Sequence, residues 1–232
     1  MIPTRRDLLK MSALAALALL ALWLSTGRTR GTQAPNASLT AQPSSRESLT
    51  YFIAEGKRGS GYRPSDRELA LWALEAWQRN AGGNLRFESA PETAALVRVY
   101  WAEPDGGEFG ETQPLMVHGR RGAAVFIRPD VAALGPELAQ RAAADDLLRE
   151  SVVYLTCLHE LGHALGLDHT RDFRDIMYFF GYGGDIPAYF ARYRAQIQTR
   201  SDIAKVSGLS DGDVARIRAI YAQDVQPLPP QR

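Results

Sequence analysis

The sequence predicts an α+β fold, and three observations lead to it. Between positions 49 and 128, short stretches alternate apolar and polar residues, as half-buried strands do. Two longer stretches, around 66–81 and 145–165, repeat their apolar residues at helical spacing instead. The second of these runs into residues 159–169, HELGHALGLDH, whose three histidines meet at one point only if a helix is followed by a sharp reversal of the chain.

Size and charge set the frame. At 232 residues, 45% of them hydrophobic, the chain suffices for one domain with tails. A net charge of +1 offers no basic surface for nucleic acid. The single cysteine, Cys157, excludes an intramolecular disulfide. It precedes His159 by two positions on one helix, about 200° round the axis, and is expected to be a small buried apolar residue.

Residues 1–27 read as a leader outside the fold. Arg5-Arg6 followed by Leu8, Leu9 and Lys10 resembles a twin-arginine export signal, and the apolar run 11–24 is shorter than the roughly 20 residues of a spanning helix. An uncleaved anchor tethering the protein to the membrane through 11–24 is the alternative. Either way the body is expected outside the cytoplasm. Residues 28–48, rich in Ser, Thr, Gln, Pro and Ala, read as a flexible linker. The globular body is expected over 49–222, as a monomer, and 223–232 as a loose proline-containing tail.

Within the body, 51–54 is the first strand candidate. Ser65 and Glu68 form an S-x-x-E capping box opening a helix. Leu69, Trp72, Ala73, Ala76 and Trp77 fall on one face of it, and Gly82-Gly83 ends it. Residues 85–87 and 97–101 alternate like strands. Residues 105–113 read as a glycine- and acid-rich loop. Its neighbourhood offers Glu103, Asp105, Glu108 and Glu111 as oxygens for Ca2+, although a solvated acidic loop accounts for them without calcium. A hairpin follows, with 115–118 turned by Gly119-Arg120-Arg121-Gly122 into 123–128. The long helix starts near Ala142 or Asp145 and ends at Leu165.

That helix carries the chemistry. His159 and His163, four apart, place two imidazoles on one face, and Glu160 stands beside them. Gly166 tolerates the left-handed backbone that ends a helix, so His169 can fold back as a third ligand. Three ligands with one open position is the pattern of a catalytic zinc. Glu160 is then placed to act as general base on a water at that metal.

With these residues in place, the sequence resembles the metzincins, specifically the matrixins of peptidase family M10. HELGHALGLDH followed by Thr170 matches their zinc helix. Asp175-Ile176-Met177-Tyr178 matches their methionine turn, and Leu209-Ser210, Asp213, Ile217 and Tyr221 match their last helix. The resemblance implies a twisted, mostly parallel sheet with one antiparallel edge strand over the cleft, an active-site helix, and a smaller C-terminal subdomain. It implies a zinc endopeptidase acting on proteins or peptides, with Glu160 catalytic and His159, His163 and His169 on a single Zn2+. Met177 would floor the site. Leu115, Met116 and Val117 would bind substrate along the edge strand. Tyr178, with the run 179–184, would wall the pocket for the side chain after the scissile bond.

The sequence also departs from the family. His118 stands where a second, structural zinc would have a ligand, but no further histidine remains to join it, so one zinc is expected. Phe179 replaces the proline after the methionine turn. An added aromatic and basic segment around Tyr189, Phe190, Arg192, Tyr193 and Arg194 reads as an amphipathic packing helix. Cys157 is misplaced for a cysteine switch. Two other functions stand beside the endopeptidase: a zinc amidase acting on a cell-wall or other non-protein amide, and a peptide-binding protein that does not cut, against which the intact Glu160 speaks.

Overall fold

The structure, a computed structural model, describes residues 48–57, 59–103 and 109–222. The expected leader (1–27), all of the linker but Ser48, the tail (223–232), Asp105 and Glu108 lie outside the described residues.

Five strands form one sheet: β1 (Leu49–Ile53), β2 (Phe87–Ser89), β3 (Val97–Trp101), β4 (Gly110–Val117) and β5 (Arg120–Ile127), in the order β2-β1-β3-β5-β4. All pairs are parallel except β4 with β5, so the last strand of the row is antiparallel and at the edge. Val97, Val99 and Trp101 on β3 and Ala123, Val125 and Ile127 on β5 alternate into the core. Five α-helices complete the described part: α1 (Asp66–Asn80), α2 (Pro136–Ala144), α3 (Asp146–Ala164), α4 (Ile186–Arg194) and α5 (Asp211–Ala222). None of the described helices is long and apolar enough to cross a membrane.

The central helix α3 packs against α1, β4 and β5. Asp145 caps it by accepting from Leu148 N at 3.0 Å. Two polar contacts fix it against α1. Trp77 Nε1 donates to Leu158 O at 2.9 Å, one residue before the first histidine. Arg149 forms a buried bidentate pair with Asp66, and its Nη2 also reaches Gly61 O at 3.0 Å. The amphipathic segment is α4, with Tyr189, Phe190 and Tyr193 buried as expected. In α5, Asp213, Ile217 and Tyr221 face inward.

Three local expectations are corrected. Ser65 precedes α1 without capping it: Glu68 is drawn to Arg200, and Asp66 accepts from Arg63 N at 2.8 Å. The hairpin turn is His118-Gly119, with positive φ at both (49° and 79°), the geometry of a two-residue hairpin loop, while Arg120 to Gly122 belong to β5. Residues 110–113, expected as loop, are the first half of β4.

Candidate active site

The end of α3 builds the metal centre. Leu167 N donates to Gly162 O and Gly166 N to His163 O, both at 2.9 Å, and Gly166 has φ 94°. This pair of reversed bonds terminates a helix through a left-handed glycine. The chain turns back, and His169 Nε2 comes to 3.3 Å from His159 Nε2 and 3.1 Å from His163 Nε2. Among the described residues, these three histidines are the one group of His, Cys, Asp or Glu spaced to hold a metal.

The donor set fits zinc. His159 Nδ1 lies 2.6 Å from Ile176 O, and His163 Nδ1 lies 2.8 Å from Leu167 O. A carbonyl only accepts, so Nδ1 of each ring carries the proton and each Nε2 presents a bare lone pair. Two lone pairs aimed at a third nitrogen cannot both be satisfied by one N–H; a cation satisfies all three. Ligands about 2.0–2.1 Å from a tetrahedral zinc stand about 3.3–3.4 Å apart, close to the 3.3 and 3.1 Å spacings found. Burial, and next the neighbouring His163, pushes the pKa of His159 down to about 3. Burial lowers those of His163 and His169 as well. All three are therefore neutral near pH 7, the form that binds a metal. Cys157, fully buried, has its thiol pushed well above the ordinary value by that burial and takes no part.

Beneath the ligands, the chain after His169 pairs with the methionine turn. Thr170 N donates to Met177 O at 2.8 Å, and Thr170 and Tyr178 form a parallel bridge. Met177 is wholly buried. Its sulfur lies against Gly162, where a Cβ would overlap it and also fall 3.1 Å from Trp77 Cζ2. The turn is tied to α5: Asp213 Oδ2 accepts from Ile176 N (2.8 Å) and Ser210 N (2.9 Å), while Arg216 Nη2 bridges Asp175 and Asp213, at 2.8 Å to each.

Glu160, 6% exposed, meets the edge strand. A Cβ on Gly110 would sit 2.6 Å from its Oε1, so only glycine allows the strand this close. Thr112 Oγ1 lies 2.8 Å from its Oε2 and 2.9 Å from its backbone O.

The Matrixin (peptidase M10) family pattern matches residues 43–185. The chain belongs to the matrixin family. Matrixins are zinc metalloproteases, so the three histidines are read as its zinc site and the substrate as a protein or peptide. No curated protein matches the chain. Solved structures that resemble this matrixin include two of myroilysin. One is 16% identical, covers 73% of this chain and 69% of that chain, and has a TM-score of 0.34. The other is 17% identical, covers 81% and 88%, and has a TM-score of 0.39. Archaemetzincin from Methanopyrus kandleri is 14% identical, covers 83% and 98%, and has a TM-score of 0.40.

The remaining expected site residues of this matrixin lie around this centre and along β4. Tyr178 is buried, with its hydroxyl donating to Gly183 O at 2.8 Å. The aromatic surfaces left open nearby are Phe179 and Tyr182, and Phe179 lies tilted over His169 with ring centroids 4.7 Å apart. Leu115, Met116 and Val117 are on the edge strand, but β4 meets Glu160 earlier, at Gly110 and Thr112. Met116 is 64% exposed; Leu115 and Val117 alternate to the opposite face from Thr112. His118 sits exposed in the hairpin turn. Of the acids offered to calcium, Glu103 is paired with Lys57 and Glu111 accepts from Gln113 Nε2 at 2.9 Å. Gly110, Thr112 and Gly162 are the site residues the sequence reading missed.

Proposed function

We propose that this matrixin is an endopeptidase in which His159, His163 and His169 hold zinc and Glu160 is the general base. The observation that carries the proposal is the placement of Glu160, one residue from a ligand and directly under the open edge of β4. Among the described residues, no strand pairs with that edge. Arg128 N donates to Phe109 O at 3.0 Å, so the odd-numbered residues of β4 exchange bonds with β5. Gly110, Thr112, Pro114 and Met116 therefore turn their backbone groups outward, and all but Pro114 offer both N–H and C=O. An extended peptide adds there as a further strand, with its chain free to continue past either end.

Zinc, when bound, supplies Lewis-acid polarisation of the scissile carbonyl and eases deprotonation of a water. Glu160 accepts that proton as the water oxygen bonds to the carbonyl carbon. It then delivers the proton to the amide nitrogen as the C–N bond breaks, leaving a carboxylic acid and an amine, which settle as carboxylate and ammonium. The buried methionine floor and the two carbonyls behind His159 and His163 hold the rings in place while this happens.

The test is a digest of a peptide library by the zinc-loaded chain, with a chelator control and with Glu160→Gln. Internal cleavage that stops with chelator, and in Glu160→Gln with zinc retained, supports the reading. Trimming of terminal residues only, or cleavage untouched by the chelator, defeats it. Arg5-Arg6 and the apolar run 11–24 support the further proposal that the enzyme works outside the cytoplasmic membrane; replacing both arginines by lysine should then leave it in the cytoplasm.

A further inference from the structure

We propose that Thr112 is the positioning residue for Glu160, coupling the substrate-binding edge of β4 to the general base. The inference rests on the reading of Glu160 as that base. A carboxylate only 6% exposed is costly to bury without a hydrogen-bond donor. Thr112 Oγ1 lies 2.8 Å from Glu160 Oε2 and 2.9 Å from the backbone oxygen of the same residue. A hydroxyl has one proton to give and lone pairs to receive. With Glu160 ionised, the hydroxyl donates to the carboxylate, the stronger, charge-assisted bond. That bond holds the carboxylate in one orientation against β4.

Its place on the strand makes the coupling. Thr112 stands in register with Val125. Its side chain therefore faces α3, while its backbone N–H and C=O face the open edge where a peptide would pair. Gly110, two residues earlier, keeps the strand close enough for the contact, since a Cβ there would meet Glu160 Oε1 at 2.6 Å. A peptide that pairs with Thr112 steadies the residue that orients Glu160.

The experiment uses the full zinc-loaded chain and one internally quenched peptide substrate, with Thr112→Val, Thr112→Ser, Glu160→Gln and Thr112→Val/Glu160→Gln. Zinc content and thermal unfolding are measured on each. Thr112→Val should lower kcat about 10- to 100-fold, the loss of one hydrogen bond to a charged group. KM should stay within about threefold, with one zinc still bound. Thr112→Ser should stay within about threefold of wild type in kcat, and Thr112→Val should add nothing to Glu160→Gln. Overturning results are Thr112→Val at wild-type kcat, Thr112→Ser as slow as Thr112→Val, or a rise in KM alone. If Thr112→Val loses its fold, an unstable or slow Thr112→Ser overturns the proposal by itself. Wild-type activity in Glu160→Gln would sink the general-base reading instead, and that result is separable from the Thr112 comparison.

Discussion

Gly162→Ala probes the packing that holds the metal ligands. The added methyl would overlap Met177 Sδ and come 3.1 Å from Trp77 Cζ2. Met177 and Trp77 are wholly buried, so neither has room to retreat. Overpacking of this kind costs about 1–3 kcal/mol, and exchanging glycine for alanine inside a helix returns about 1 kcal/mol. The net expectation is a loss of about 0–2 kcal/mol in urea unfolding followed by tryptophan fluorescence. Met177→Ala alone should cost about 2–5 kcal/mol through the space it vacates. The new methyl occupies part of that space, so the double variant should be more stable than the sum of the two singles predicts, by about 0.5–3 kcal/mol. Zinc affinity should fall about 10- to 100-fold in Gly162→Ala, because Met177 adjoins Ile176, whose carbonyl holds His159. Strict additivity, or a Gly162→Ala protein stabilised by the full helical gain, would show that Met177 does not lie under α3.

Other expectations follow from single contacts. Gly110→Ala should cut kcat more than tenfold while zinc stays bound, because the Cβ would displace the Glu160 carboxylate; peptide kinetics with metal analysis checks it. Asp213→Ala leaves Ile176 N and Ser210 N without their acceptor, and should cost about 3–5 kcal/mol in denaturant unfolding. Arg149→Met strands the buried Asp66 and should cost about 3–5 kcal/mol, whereas Arg149→Met with Asp66→Leu should recover most of the loss. Removing zinc should lower the melting temperature, and the shift should shrink in His169→Ala, where one ligand is missing.

The zinc helix was legible because its geometry is local. The spacing of His159 and His163, and the glycine that reverses the chain, need no information from distant residues. The helices α1 and α3 were legible from apolar spacing, and α4 from its aromatic face. The first half of β4 was not. Its helix-facing positions are Gly110, Thr112 and Pro114, and its other face carries Glu111 and Gln113, so no apolar alternation marks it as a strand. Yet the closeness that removes the apolar signal is what brings Thr112 to Glu160. The helix α2 went unassigned although Gly135-Pro136 opens it; it buries only Leu138 and Ala142. The capping box at Ser65 failed because distant partners, Arg149 for Asp66 and Arg200 for Glu68, outbid the local pattern. The turn at His118 was missed because a non-glycine residue takes the left-handed conformation there.

X-ray absorption at the zinc edge, on the purified chain, bears most directly on the centre of the account. One zinc per chain is expected, with three imidazole nitrogens at about 2.0–2.1 Å and one oxygen ligand; His169→Ala should reduce the imidazole count by one. A chain that takes up no zinc, or a spectrum unchanged in His169→Ala, would contradict it.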